Sequence, residues 1–234
     1  MQVVVTEEAV LTLEDMTNDE FFEFCARNQE YRIERSADGK GLIMSGTGGK
    51  TGNRNSRLTR QLDIWADQDG RGIAFDSSTL FLLPNGAMLP PDAAWVSRKR
   101  LAALTADQQE KYLPMCPEFV VELTSPSDRL KSVQEKMAEW MANGCQLGWI
   151  LDPSRRAHIY RPHGAESLDQ PAGLTGEGPV DGFVLNLERN LGSWLVVKSM
   201  SHDTDILIFY PYEADSQEDL AARPVSGYAC PPDL

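Results

Sequence analysis

The spacing of apolar residues along the chain switches several times between a helical and a strand period, which predicts a mixed α/β protein. Residues 17–28 predict a short amphipathic helix, with Thr17 as the N-cap and acidic residues in the first turn. A longer helix is predicted over about residues 53–68, because Leu58, Leu62 and Trp65 fall on one face. Residues 46–52, directly before it, are rich in glycine and predict a flexible loop.

Short apolar or alternating runs predict a series of strands, at residues 31–35, 42–44, 73–76, 79–83, 92–96, 119–123, 147–151, 157–160 and 183–187. A polar helix is predicted over residues 98–112, and an amphipathic helix from a cap at residues 125–128 to about residue 143. Residues 163–182 are rich in glycine and proline and predict loops. The order strand, helix, strand over residues 119–151 is the unit that builds a parallel or mixed sheet.

Composition limits the class of protein. The 234 residues, of which 41% are hydrophobic, can bury one good-sized core. No run approaches the roughly 18–20 apolar residues of a membrane helix, and the first residues lack the layout of a signal peptide. The four cysteines lie far apart and do not cluster with the three histidines, which argues against a disulfide framework and a zinc knuckle. We therefore expect a reduced, cytoplasmic protein with no membrane partner.

The charge balance argues against a nucleic-acid partner. The chain has 22 Lys and Arg residues against 35 Asp and Glu residues, a net charge of -13, whereas phosphate contacts usually demand a basic surface. The excess is uneven, because residues 201–234 contain seven acids and one base and contribute -6, while residues 1–200 contribute -7. A mean charge does not locate the charges, so composition leaves the partner open.

One acid stands inside the most apolar predicted strand. Alternation puts Val120, Glu122 and Thr124 on one face of this strand, and a buried carboxylate is costly unless a cation or a metal compensates it. Lys136 lies at the edge of the apolar arc of the following helix, within reach of the strand end. Asp92, at the start of another strand, supplies a second hard oxygen ligand of the kind that Mg²⁺ prefers. Two acids and a lysine are the groups that metal-assisted phosphodiester hydrolysis needs.

Four segments carry these residues: Pro-Pro-Asp-Ala-Ala-Trp-Val (90–96), Cys-Pro-Glu-Phe-Val-Val-Glu-Leu-Thr-Ser-Pro-Ser-Asp (116–128), Gln-Glu-Lys-Met-Ala-Glu-Trp-Met-Ala-Asn-Gly (134–144) and Leu-Gly-Trp-Ile-Leu-Asp-Pro (147–153). In this order they resemble a widespread bacterial family described as putative restriction endonucleases, a former domain of unknown function with the PD-(D/E)XK nuclease fold. The resemblance implies an α/β core over residues 31–190, with a central mixed β-sheet flanked by helices. A helical extension at residues 1–30 precedes this core, and an acidic tail at residues 191–234 falls outside the resemblance.

The resemblance also implies roles for individual residues. Asp92 matches the first acid of the family's signature, and Glu122 matches the acid of its second strand. The third signature position, lysine in the standard pattern, is Thr124 here, and the family's lysine is matched by Lys136 in the next helix. The implied activity is DNA cleavage with Mg²⁺ or Mn²⁺ bound by Asp92 and Glu122, and a homodimer would supply two sites for the two strands. Many relatives carry a histidine where this chain has Thr51.

Two further residues are candidates for the same site, each with a structural alternative. Glu34 is a candidate third acid of the metal site, or an exposed strand charge beside its neighbouring arginines. Arg54 is a candidate to contact DNA phosphates, but it recurs with Arg57 and Arg60 at three-residue spacing, which also suits a solvated helix face.

The three main candidates have structural alternatives as well. Glu122 could form a buried ion pair with Arg129 or Lys136. Lys136 could be a helix-edge lysine whose charge simply reaches solvent, and Asp92 could cap a turn.

Two other functions stay open. Thr124 and the overall acidity suit a nuclease-derived binding or assembly module with little or no catalysis. The Gly-Thr-Gly-Gly-Lys-Thr run at residues 46–51 resembles a phosphate-binding loop, but a Walker A sequence needs glycine where Met44 stands, so an NTPase is the least favoured hypothesis. If the partner is DNA, we expect weak binding that depends strongly on metal and salt.

Overall fold

The computed structural model describes residues 9–12, 16–44, 48–124 and 130–188. The helices are α1 (Asn18–Arg27), α2 (Gly49–Asp69), α3 (Arg98–Leu101), α4 (Ala106–Glu110) and α5 (Leu130–Ala142). The strands are β1 (Ala9–Thr12), β2 (Arg32–Arg35), β3 (Lys40–Met44), β4 (Gly72–Asp76), β5 (Phe81–Leu82), β6 (Met88–Leu89), β7 (Ala93–Ser97), β8 (Phe119–Leu123), β9 (Leu147–Leu151), β10 (Arg156–Arg161), β11 (Gly164–Asp169), β12 (Gly173–Thr175) and β13 (Val184–Asn186). Within these ranges, no helix has the length and apolar character needed to cross a membrane.

The strands form a central mixed sheet, a second antiparallel sheet and a short pair. The central sheet has the order β11-β10-β9-β8-β7-β4, and its only parallel neighbours in the described part of the chain are β8 and β9. That pairing is parallel because α5 carries the chain back between the two strands. The second sheet has the order β1-β3-β2-β6-β5, and β12 pairs with β13. The predicted mixed sheet is thus confirmed.

Helices α2 and α5 pack against opposite faces of the central sheet. The buried residues of α2 share an apolar cluster with Phe119 and Val121 of β8. Met137 and Trp140 of α5 lie in a second cluster with Val120. The alternation predicted for residues 119–123 is therefore confirmed. It places Glu122 on the face of the sheet that α5 covers.

Helix α1 forms where the sequence predicts it. Thr17 and Glu20 make a capping box, in which the Thr17 N–H donates to the Glu20 carboxylate at 2.8 Å and the Glu20 N–H donates to Thr17 Oγ1 at 3.3 Å. Phe21 is fully buried in a cluster with Ile33 and Met88. This contact packs α1 against the second sheet.

Four predictions differ from the structure. Residues 1–30, expected to be a helical extension, contain strand β1 as well as α1, and β1 pairs with β3 of the second sheet. Residues 98–112 form two short helices rather than one, because Thr105 starts α4 with its own capping box. Helix α2 begins at Gly49, so Gly49 and Gly52 are helical and do not form a loop. Residues 163–182 contain β11 and β12; every residue of β11 is exposed at the sheet edge, so the strand carries no apolar period. The predicted cap at residues 125–128 and the acidic tail lie outside the described residues.

Candidate functional site

Two carboxylates meet where the start of β7 lies beside the end of β8. Asp92 follows a proline pair and directly precedes β7, which pairs antiparallel with β8 so that Ala93 lies opposite Val121. This register brings Asp92 beside Glu122. The Leu123 N–H donates to Asp92 Oδ2 at 2.7 Å and holds the carboxylate against the end of β8.

Glu122 is the most deeply buried acid of the site, with only 3% of its surface exposed. Its Oε1 accepts a hydrogen bond from the Trp140 indole N–H at 2.8 Å and lies 3.2 Å from Lys136 Nζ. Burial raises the pKa of Glu122 to about 7, a shift that Lys136 opposes and Asp92 reinforces. The carboxyl group therefore exchanges its proton near neutral pH.

Lys136 reaches from α5 to the strand end. Its side chain is 15% exposed, and its ammonium donates to Glu34 Oε1 at 2.5 Å and to the Pro90 carbonyl at 2.7 Å. Trp140 lies one turn further along the same helix face, which explains why both side chains reach Glu122. The lysine thus bridges β2, the segment before β7, and β8.

Glu34 and Arg32 extend from one face of β2 into the same cluster, since residues two apart share a strand face. Glu34 is buried, so the alternative of an exposed strand charge is wrong. The Arg32 guanidinium donates to Asp92 Oδ1 at 2.8 Å and to the Pro90 carbonyl at 2.9 Å. Burial alone would lower the pKa of Arg32, but Asp92 and Glu122 outweigh it and raise that pKa.

Sequence reasoning missed three residues of this cluster. The sequence patterns assign no role at this site to Arg32 of β2 or to Trp140 of α5. Asn55 of α2, whose amide donates to Asp92 Oδ1 at 3.3 Å, was assigned no role. The spacing of two residues on β2 and of four residues on α5 could have indicated the first two, because each stands on the same face as a predicted site residue.

The remaining candidates lie close by. Thr124, at the third signature position, is buried, and its hydroxyl has no hydrogen-bond partner among the described residues. Arg54 lies on α2 directly before Asn55 and is half-buried; its contact with DNA stays a prediction. Arg129, an alternative partner for Glu122, lies outside the described residues.

The donors at the site suit a hard cation. Asp92 and Glu122 offer carboxylate oxygens on adjacent strands, and Mg²⁺ is commonly bound by one or two carboxylates, with water and substrate phosphate completing its shell. In the described ranges, no group of three or more His, Cys, Asp or Glu side chains is arranged to hold a metal ion. The side chains present therefore fit Mg²⁺ or Mn²⁺ bound by two carboxylates. They do not fit a metal site whose ligands all come from protein side chains.

The family of the chain follows from comparison with known proteins. A family model, Uma2, described as "putative restriction endonuclease", matches residues 18–191. The chain belongs to this family. Membership in Uma2 supports the broad assignment of this chain as a restriction-type nuclease. A search of curated proteins found no match.

A solved structure shares the fold of this chain. A crystal structure at 1.96 Å of a nuclease from Anabaena variabilis, described as putative and as belonging to DUF820, aligns with a TM-score of 0.61 at 18% identity, over 75% of this chain and 97% of that one. This likeness confirms the predicted nuclease-like fold. A cryo-EM structure of a DrdV–DNA complex aligns with a TM-score of only 0.33 at 16% identity, over 51% of this chain and 10% of that one, which is too weak to support a conclusion.

Proposed function

We propose that this protein is a divalent-metal-dependent endonuclease that hydrolyses DNA phosphodiester bonds. The observation that carries the proposal is the convergence of Asp92, Glu122 and Lys136 where the start of β7 meets the end of β8, with the ammonium 3.2 Å from Glu122. Two carboxylates and a cation in this arrangement are the groups that the hydrolysis requires.

Asp92 and Glu122 would hold the ion, Mg²⁺ or Mn²⁺, while Glu34 stays paired with the ammonium of Lys136. When bound, the ion polarises a phosphate oxygen and lowers the pKa of a coordinated water. The Leu123 N–H orients Asp92, and the indole of Trp140 orients Glu122, through the hydrogen bonds described above. Both carboxylates are thus held in place by these hydrogen bonds before any ligand arrives.

Lys136 would act on the substrate itself. Its ammonium lies against Glu122 in a weakly solvated setting, where it can orient the attacking water or offset negative charge that develops on the phosphate. Arg54, on the helix that also carries Asn55, would contact a phosphate of the DNA backbone.

The test is metal-dependent nicking of supercoiled DNA by the full chain. Asp92→Asn and Glu122→Gln should each reduce the rate by at least about 100-fold, because each removes a charged ligand while keeping the shape of the side chain. Asp107→Asn, on the exposed surface of α4, is the matched control and should cleave like the wild type. Cleavage by an Asp92→Asn/Glu122→Gln double variant at the wild-type rate would disprove the assignment.

A second candidate function is a nuclease-derived binding or assembly module. Thr124 stands where the standard signature has lysine, and Arg32 and Lys136 already neutralise part of the carboxylate charge. Calorimetry with Mn²⁺ discriminates between the two functions. Binding that is lost in Asp92→Asn and Glu122→Gln supports the nuclease, and absence of such binding supports the module.

A further inference from the structure

Two cations of the protein already contact the carboxylates at which a metal ion would bind. Lys136 binds Glu34 and Glu122, and Arg32 binds Asp92. Both cations also donate to the same acceptor, the Pro90 carbonyl, at 2.7 Å from the ammonium and 2.9 Å from the guanidinium. Arg32 is therefore part of the site and not a surface residue that happens to lie near it.

Arg32 occupies one of the two carboxylate oxygens of Asp92. Asp92 Oδ2 accepts the backbone N–H of Leu123, while Oδ1 accepts from Arg32 at 2.8 Å and from Asn55 at 3.3 Å. A carboxylate oxygen has two lone pairs, so both acceptor positions of Oδ1 are taken. A metal ion gains this oxygen only if one of the two donors leaves.

The charge balance indicates which donor leaves. A bound divalent cation favours the ionised form of Glu122, so Glu34, Asp92 and Glu122 then present three negative charges to the two positive charges of Arg32 and Lys136, which leaves -1 before the charge of the metal is counted. A divalent cation added to this cluster would reverse the charge to +1. If the same cation replaces Arg32, the cluster is neutral. Uncompensated charge is costly in a poorly solvated site, so the metal ion and the guanidinium compete for one position.

The displaced guanidinium has a short path to solvent. The Arg32 side chain is 26% exposed, whereas the Asp92 side chain is 9% exposed. Arg32 Nε is buried and has no hydrogen-bond partner among the described residues, so the side chain has an unused donor in its present position. A planar guanidinium released beside a metal site is matched in shape and charge to a phosphodiester.

We propose that Arg32 is a substrate-binding residue controlled by the metal: it acts as the counter-ion of Asp92 until a divalent cation displaces it, and it then binds a phosphate of the DNA. Only the phosphate-binding part of this inference rests on the proposed nuclease function. The competition with the metal ion stands on the contacts of Arg32 alone.

The first measurement is the affinity of the full chain for Mn²⁺ by calorimetry, without DNA. Arg32→Met should bind Mn²⁺ about tenfold more tightly than the wild type, which corresponds to ~1.4 kcal/mol, because the competing ion pair is gone. The matched control is Arg27→Met, which removes the same charge from an exposed pair on α1 and should leave the affinity unchanged. Equal or weaker Mn²⁺ binding by Arg32→Met, or no binding by either protein, overturns the inference.

Arg32→Met also leaves Asp92 without its counter-ion, so its fold is checked by the cooperativity of urea unfolding. If this variant does not fold, Arg32→Lys decides, because lysine lacks the rigid planar fork with which the guanidinium binds Asp92 and the Pro90 carbonyl together. Arg32→Lys should then bind Mn²⁺ more tightly than the wild type, and unchanged or weaker binding overturns the inference.

The second measurement is the interaction with DNA in the presence of Mn²⁺. Arg32→Met should raise the KM for DNA about fivefold, the loss expected for one charged phosphate contact, although it binds the metal more tightly. A residue with a purely structural role would not change the two affinities in opposite directions, and an unchanged KM overturns the phosphate-binding role. If the wild type binds Mn²⁺ but does not cleave, the proposed function fails, while the Mn²⁺ affinities and the Kd for DNA still decide the role of Arg32.

Discussion

Glu122 illustrates how burial controls the chemistry of single residues in this protein. Its carboxyl group lies in a strand whose five residues are all buried, and this burial, more than any neighbouring charge, raises its pKa to about 7. The hydrogen bond from Trp140 and the ion pair with Lys136 compensate the charged form only in part. A bound divalent cation would favour the charged form further.

We expect Glu122 to make the folded protein less stable as the pH rises from about 4.5 to about 7. The pKa is raised from 4.5 to about 7 on folding, so the folded state holds the proton more tightly. This stabilisation is complete below the unfolded-state pKa and is lost as the pH rises through the folded-state pKa. Urea unfolding at several pH values, without divalent metal, should show this loss in the wild type and not in Glu122→Gln.

The control for this experiment is Glu135→Gln, which removes an exposed carboxyl from the same helix as Lys136. This variant should keep the pH dependence of the wild type. An identical pH dependence in the wild type and Glu122→Gln would contradict the raised pKa.

At the scale of elements, the position of Lys136 depends on how closely α5 approaches the central sheet. Gly148 of β9 lies under Met137, the residue next to Lys136, and a Cβ atom at Gly148 would stand 2.2 Å from Met137 Sδ. Met137 is fully buried, so it has little room to move. The absence of a side chain at this position therefore sets the distance between α5 and β9, the strand beside the one that carries Glu122.

Gly148→Ala should lower the free energy of unfolding by about 1–3 kcal/mol, the usual cost of overpacking a core. The cost should shrink in a Met137→Ala background, because the two positions are in contact, and a double-mutant cycle from urea unfolding measures the difference. Gly52→Ala is the matched control: the added methyl group meets open space on α2 and should stabilise the helix by about 0.5–1 kcal/mol. Wild-type stability for Gly148→Ala would refute the proposed close approach.

The whole molecule carries a net charge of -13, which opposes an approach to DNA. Nearly half of this charge belongs to residues 201–234, and a part of the remainder belongs to the acids of the site itself. A divalent cation bound by Asp92 and Glu122 would reduce the negative potential where the phosphate must come. Metal binding and DNA binding should therefore be coupled.

We expect the protein to bind duplex DNA weakly in EDTA and more tightly in Mn²⁺, with an affinity that falls as NaCl increases. Fluorescence anisotropy at several salt concentrations measures both effects. The Asp92→Asn/Glu122→Gln variant is the control and should gain no affinity from Mn²⁺. Equally tight binding in EDTA and in Mn²⁺ would contradict the coupling.

Most helices and the apolar strands of the central sheet could be predicted from the sequence, while very short strands such as β6 and fully exposed ones such as β11 could not. The bounds of β8 and β9 agree with the prediction, because both strands are apolar and end at clear turn signals. Strand β11 was missed because it is exposed along its whole length and has no apolar period. Helix α2 extends through Gly49 and Gly52 although glycine disfavours the helical conformation, because tertiary context overrides this local propensity.

The sequence by itself determined the alternating faces of residues 119–123 and the three residues on which the nuclease proposal depends, because side-chain periodicity and ordered motifs are local properties. Only the tertiary structure decided that Arg32 pairs with Asp92 and that Lys136 bridges Glu34 and Glu122. These partners lie far apart along the chain, and their contact depends on the order of the strands and on the register between β7 and β8. A local pattern does not encode that order, so the competition for Asp92 became visible only once the sheets were assembled.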